Sequence, residues 1–333
     1  KAVILGCFFI MKKIALLYMG GTFGCVGEPL SPMPEAEFLP HLKKILPLNP
    51  QIDCFSAPSV KDSSAYTAVD WFLLIQQIQD LQTQHYQHFI VIHGTDTLSY
   101  AAATLARFLA QSCQVIITGS QYPLLNTTGQ GMREVTDALD NLNTAIEHIE
   151  KVSAGVYVAF HHQVFHASTT LKVHSTALDA FAGINYHEQI RTSELPPFQI
   201  QKQHIDQIAS LNILNLSLQP IAQLQLNRQL EGILKHAPDV LIIQAYGTGN
   251  VLCFFCCADH GADIGRDRAA GAGDAQGGDA VEKARGLPGD HGDPVLGSRG
   301  DHGDQVSVVC FAEAVKLRLF LKGDVRDDEA VDP

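Results

Sequence analysis

The sequence predicts an α/β protein of two domains, a larger N-terminal one built on a parallel sheet and a smaller α/β one at the C-terminus. Three observations lead there. From Lys12 to about Ala245, short continuous apolar runs alternate with longer amphipathic stretches, the pattern of βαβ units whose strands are covered on both faces. A polar, Pro-containing stretch from Glu194 to Gln207 interrupts this alternation before strand character resumes at Leu211 to Leu218. The length of 333 residues is enough for two cores that need neither disulfide nor metal staples. The boundary is expected near residue 207, with one domain over 11–200 and the other over 208–333.

In chain order, the first strand is expected at Ile14 to Met19, with further strands at Phe89 to His93, Gln114 to Thr118, Gly155 to Phe160 and Val240 to Tyr246. All are continuous apolar runs of the kind buried on both faces. Helices are expected at Ala68 to Gln82, whose apolar positions recur at three and four residues, at Ser99 to Ala110, and at Gly131 to Ile149; each is long enough for a parallel crossover. Ahead of the first strand, Lys1 to Ile10 is apolar but lacks an A-x-A-like cleavage site. Met11, followed by Lys12 and Lys13, reads as a natural start preceded by an extension.

The pattern changes abruptly after Val251. Between Ala258 and Asp304 lie twelve of the chain's 27 Gly and nine Asp, with no strand or helix period. A segment so poor in apolar side chains offsets little of its ordering entropy. A shift of reading frame near residue 251 would account for the change, and the small domain is expected to be incomplete or aberrant from 252 onward. Cys253, Cys256 and Cys257 with His260 form a C-x-x-C-C group, but a single such pair is a weak zinc signal, so no metal is expected.

Composition excludes several classes of function. Hydrophobic residues at 46% against charged residues at 17% exclude a wholly disordered chain. A net charge of −12 with no basic patch argues against nucleic acid. No apolar run reaches the roughly 18–20 residues of a membrane span. The eight Cys have no regular spacing through the first 250 residues, as expected of reduced thiols in a cytoplasmic protein.

Four segments carry candidate chemistry. Gly20-Gly21-Thr22-Phe23-Gly24 follows the first strand, and its glycines allow a sharp turn at a carboxyl end, where open α/β sheets hold ligands. It matches neither G-x-G-x-x-G nor the phosphate loop, so no nucleotide cofactor is expected. His93-Gly94-Thr95-Asp96-Thr97 follows a later strand and leads into a helix; helix capping needs one of its three polar side chains, not all three. Lys172 lies beyond Gly155 to Phe160, with Ser168, Thr169 and Thr170 upstream and Asp179 downstream, where an amine beside a hydroxyl and a carboxylate can hold a proton-transfer network. Asp62-Ser63-Ser64 offers a carboxylate and two hydroxyls to a ligand's ammonium and carboxylate groups. Each segment has a plain structural explanation taken alone. Together they suggest hydroxyl-nucleophile chemistry without a metal or cofactor.

The pair GGTFG and HGTDT, in that order after two strands, resembles the signature motifs of bacterial-type L-asparaginases. Ile116 to Leu124, Asp137 to Asn143 and Lys172 to Phe181 resemble the type I, cytoplasmic branch, and the likeness runs from about residue 12 to 251. The resemblance implies an amidohydrolase converting L-asparagine to L-aspartate and ammonia. Thr22 would be its nucleophile, Thr95, Asp96 and Lys172 the activating triad, and Asp62, Ser63 and Ser64 the substrate-binding segment. It also implies a homodimer or homotetramer where the small domain is intact, with Tyr246 to Asn250 near a subunit contact. Glutaminase activity, action on glutamyl-tRNA like the related amidotransferases, and a catalytically impaired product remain as alternatives. The acidic charge argues against the tRNA version. One departure stands out: Cys25 to Pro32 holds no Tyr where many members carry one on a mobile lid, and Leu30 falls near that position.

Overall fold

A computed structural model describes residues 13–48, 51–190, 196–217, 220–222, 224–226, 228–229 and 238–242, together with the backbone of 243–244 and 307–311. The chain divides into two compact units, Lys1–Ala209 and Ser210–Pro333. The first runs β1 (Lys13–Gly20), β2 (Cys25–Val26), β3 (Ser31–Pro32), α1 (Glu35–Ile45), β4 (Gln51–Lys61), α2 (Ala68–Thr83), β5 (His88–Ile92), α3 (Leu98–Leu109), β6 (Gln114–Thr118), α4 (Ala138–His148), β7 (Gly155–Phe160), β8 (Gln163–His166), β9 (Leu171–Lys172), β10 (Phe181–Ala182) and α5 (Lys202–Ser210). The second contains β11 (Ile213–Ser217), β12 (Val240–Gln244) and β13 (Ser307–Phe311). β12 pairs parallel with β11 and antiparallel with β13. The expectations placed on 1–12, 245–306 and 312–333, the C-x-x-C-C group and Tyr246 to Asn250 among them, lie outside the described residues.

The main sheet has the order β4-β1-β5-β6-β7-β8, parallel except for β8. The central strands β1, β5, β6 and β7 are apolar along nearly their whole length because helices cover both faces. α1 and α4 share a core with Ile14, Leu16, Tyr18, Ile90, Ile92, Ile116 and Tyr157 on one face. α2 packs against α3 on the other. From β1 the chain steps outward to β4, then returns past β1 to β5 and continues to β6 and β7. The gap between β1 and β5 is therefore a point where the winding reverses, the place where open α/β sheets bind ligands. The α4 crossover from β6 to β7 uses the α1 face while moving in the direction of α3, so its hand is opposite to that of the other three crossovers, an uncommon arrangement.

Four elements differ from the sequence expectation. The helix expected from Gly131 begins at Ala138, because residues 131–137 form a loop that returns to the rim of the sheet. The polar stretch expected as a linker up to Gln207 contains α5 from Lys202. β4 and α1 were not foreseen: β4 carries Pro58, which an edge strand tolerates, and α1 carries Pro40 in its interior while burying Phe38 and Leu42.

The β7–β8 hairpin turns on His161 and His162, with Phe160 paired to Gln163 and φ of 47° and 61° at the two turn residues. Two-residue turns of this hand favour Asn followed by Gly, since other side chains crowd the backbone at positive φ. Replacing His161 with Asn and His162 with Gly is expected to raise unfolding free energy by about 0.5–1 kcal/mol, read from urea midpoints at constant m-value. An unchanged or lower midpoint would show that these side chains are stabilised by contacts beyond the turn.

Candidate active site

Because β1, β4, β5, β6 and β7 are parallel, the loops after them emerge on one rim of the sheet. β1 ends at Gly20 and Gly21 follows it, both at positive φ (99° and 79°), leading into a 3-10 turn over Thr22–Gly24. Gly21 N–H donates to Lys61 O (3.2 Å) at the end of β4, and Leu124 N–H donates to Phe23 O (3.0 Å) from the loop after β6. Thr22 is part-exposed between the buried residues Gly21 and Phe23. A Cβ on Gly21 would overlap Gly94 Cα and lie 2.7 Å from Gly94 N. A Cβ on Gly94 would lie 2.5 Å from Ser63 Oγ. The loops after β1 and β5 therefore meet backbone to backbone at Gly21, and the Ser63 side chain of the β4 loop closes on Gly94, two positions where only glycine fits.

That contact gives a measurable consequence. Gly21→Ala adds a methyl group against backbone at φ of 79° and is expected to destabilise the fold by about 2–4 kcal/mol, from strain and overpacking together. Chemical denaturation measures it, and a loss below about 0.5 kcal/mol would mean the loops are less tightly opposed.

The loop after β5 does not cap its helix. Thr97, at the N-cap of α3, makes no side-chain capping bond and donates its hydroxyl to Ser63 O (2.8 Å). Asp96 N–H donates to Ser63 Oγ (3.2 Å). With its backbone anchored to Ser63, the loop presents Thr95 and Asp96 to Lys172, whose Nζ donates to Thr95 Oγ1 (2.9 Å) and Asp96 Oδ1 (2.9 Å). Thr95 is 7% exposed, whereas the Asp96 side chain is 60% exposed and that of Lys172 17%.

Lys172 arrives from β9, paired antiparallel with β10. The hydroxyls of Thr169 and Thr170 both donate to His166 O (3.0 and 2.9 Å), so they shape the preceding turn and do not join the cluster. Ser168 and Asp179 are exposed, and the carboxylate paired with Lys172 is Asp96. Asp62 caps the short 3-10 turn Ser63–Ala65: Oδ1 accepts from Ser64 N (2.8 Å) and from Ser64 Oγ (2.5 Å). Asp62 and Ser64 are exposed, while Ser63 is buried.

Asp137 is a further organising residue, named in the sequence only as part of a resembling segment. It sits at the N-cap of α4 without capping it. Its carboxylate accepts from the backbone N–H of Gln121 (2.9 and 3.1 Å) and Tyr122 (2.9 Å) and from Asn141 Nδ2 (2.9 Å). Gln121 Nε2 in turn donates to Ser175 O (3.2 Å) and Ala177 O (2.9 Å), tying the β6 loop to the segment between β9 and β10. An Asp ahead of an amphipathic run reads as a cap, and only the fold reveals where its carboxylate turns.

The segment Cys25 to Pro32 forms the hairpin β2–β3, with Gly27 N–H donating to Thr127 O (3.0 Å) and Met33 N–H to Gly24 O (3.1 Å). Cys25 Sγ lies 3.4 Å from Gly21 O, and burial together with the Asp62 charge pushes its thiol up. Leu30 is exposed. The described Cys25, Cys54 and Cys113 are free. Among the described residues no group of three or more His, Cys, Asp or Glu is arranged to hold a metal ion, and no helix is long and apolar enough to cross a membrane.

Fold and site define an open α/β protein with a Thr–Asp–Lys cluster beside a glycine turn at the reversal of its sheet. Residues 13–204 match the family model described as Asparaginase, N-terminal. The chain belongs to the asparaginase family. Over 262 residues it is 27% identical to L-asparaginase 1 of Escherichia coli (strain K12), covering 72% of each chain. It is 25% identical over 284 residues to an L-asparaginase of Dirofilaria immitis, where 72% of this chain spans only 45% of the relative. The thermostable L-asparaginase from Thermococcus kodakarensis shares the fold at a TM-score of 0.57 and 23% identity, over 72% of this chain and 73% of that one.

Proposed function

We propose that this chain hydrolyses L-asparagine to L-aspartate and ammonia. The observation that carries the reading is Lys172, whose Nζ bridges Thr95 Oγ1 and Asp96 Oδ1 at 2.9 Å each, in the loop packed against the one that holds Thr22. A free hydroxyl is a weak nucleophile, and a charged donor on a neighbouring hydroxyl is a means of moving its proton. Thr22 Oγ1 attacks the side-chain amide carbon, the C–N bond breaks, and the nitrogen leaves as ammonia with the proton given up by Thr22. The ester on Thr22 is then cleaved by water. Thr95, polarised by Lys172, relays the proton, and Asp96 holds the ammonium in place.

The substrate's ends have complementary partners. Asp62 accepts from Ser64 through Oδ1, which leaves its other oxygen to a ligand's α-ammonium. Ser63 Oγ accepts the Asp96 N–H, so its own proton is available to an α-carboxylate. The test is ammonia release from L-asparagine by the full chain, with L-glutamine alongside. Equal release of ammonia and aspartate supports the reading. Release from glutamine alone would move the substrate assignment, and release from neither would overturn it.

A further inference from the structure

We propose that His93 is a positioning residue of this site, whose Nδ1–H fixes the Gly94–Thr95 peptide and so presents Thr95 to Lys172. His93 is wholly buried, one residue past β5. Its Nδ1 lies 2.8 Å from Gly94 O. A carbonyl oxygen only accepts, so Nδ1 carries the proton and Nε2 is a bare lone pair. That Nε2 is buried and has no hydrogen-bond partner among the described residues.

Packing does not explain an imidazole here. The ring stacks on Tyr66 at 5.0 Å between centroids and 37° between planes, a place a phenyl ring would fill without burying an unpartnered acceptor. What the imidazole adds is one donor, aimed at the next residue's carbonyl. Gly94 has no side chain to restrict it, and Ser63 Oγ leaves no room for one. In a trans peptide the C=O and N–H point opposite ways, so holding Gly94 O against the ring turns the Thr95 N–H away from it. It also sets the direction from which Thr95 Oγ1 meets Lys172 Nζ at 2.9 Å.

The brace extends to the Thr22 loop, since the Tyr66 hydroxyl donates to Met19 O, immediately before Gly20 and Gly21. Burial pushes the imidazole down to about 4, so at neutral pH the ring is neutral and carries one proton. What is measured as turnover rests on the function proposed above.

The test compares His93→Phe with His93→Asn in the full chain. Phe keeps the ring and removes the donor; Asn keeps a donor near the place of Nδ1 and removes the ring. His93→Phe is expected to unfold at or above the parent temperature yet lose about 100-fold in kcat, with KM within about threefold. His93→Asn is expected to unfold lower yet keep kcat within about tenfold of the parent. A residue that only packs would give the reverse, with the Phe variant fully active, and that outcome overturns the proposal.

Two readouts stand apart from asparagine hydrolysis. Nitrogen NMR of labelled His93 is expected to show the Nδ1–H tautomer; an Nε2–H tautomer overturns the proposal. Amide exchange at Thr95 is expected to rise about tenfold in the Phe variant alone. Unchanged exchange there overturns it even if the chain hydrolyses no amide, and that separates its failure from failure of the function.

Discussion

Thr22→Ala is expected to lower ammonia release from L-asparagine by on the order of 10⁴-fold or more, while circular dichroism and the unfolding midpoint stay with the parent. The fold should tolerate the change because the turn is held by its backbone: Gly24 N–H donates to Gly21 O (3.3 Å), and Phe23 O accepts from Leu124. Thr22 itself is part-exposed, so truncation opens no sealed cavity. Thr22→Ser keeps the hydroxyl and is expected to retain activity within about 10²-fold of the parent, which separates loss of the nucleophile from loss of shape. Parent-like rates in the Ala variant would remove Thr22 from the mechanism and point to water activated directly at Thr95.

Lys172→Met is expected to reduce kcat by roughly 10²–10⁴-fold with little change in KM. Methionine keeps most of the stem and removes the three N–H donors, so Thr95 Oγ1 and Asp96 Oδ1 lose their common partner. The Asp96 side chain is 60% exposed, and water can take over its solvation. The stability change should stay within about 1 kcal/mol. Lys172→Arg is expected to restore little, because a planar fork does not place one nitrogen between a hydroxyl and a carboxylate as an ammonium does. Steady-state kinetics with urea midpoints check all three values. A Met variant as active as the parent would make the bridge an ordinary surface ion pair.

The sequence was most informative where one physical signal acted alone. The fully apolar runs at Gln114–Thr118 and Gly155–Phe160 are strands with the expected bounds, since burial on both faces leaves no competing pattern. The 3.6-residue period of α2 located that helix to within one residue at its end. β4 escaped notice because an edge strand alternates, includes Pro58 and carries polar side chains. Residues 131–137 looked helical because the amphipathic run of α4 directly succeeds them, but the Asp137 carboxylate is drawn to the Gln121 and Tyr122 N–H groups, and the helix starts after it.

At the site, the motifs marked the loops and not their joints. Nothing local in Asp62-Ser63-Ser64 or His93-Gly94-Thr95 says that Ser63 anchors the backbone of Asp96 and the hydroxyl of Thr97. Those bonds join residues about 30 positions apart and exist only once β4 and β5 flank β1.

The crossover of unusual hand has a consequence for the order in which the site is acquired during folding. To change faces between β6 and α4, the chain spans residues 119–137 along the rim, and this span supplies the bonds from Leu124 to Phe23 and from Gly27 to Thr127. The Thr22 turn thus obtains its wall from a segment about a hundred residues later in the chain, a closure whose entropy is met only when the far end of the sheet has docked. A nascent chain that has released β1 through β5 carries both threonine motifs side by side yet lacks the enclosure around them. Enclosure of the Thr22 turn is therefore a late property of this unit, tied to completion of its least common connection, and Lys172 joins Thr95 and Asp96 later still, from β9.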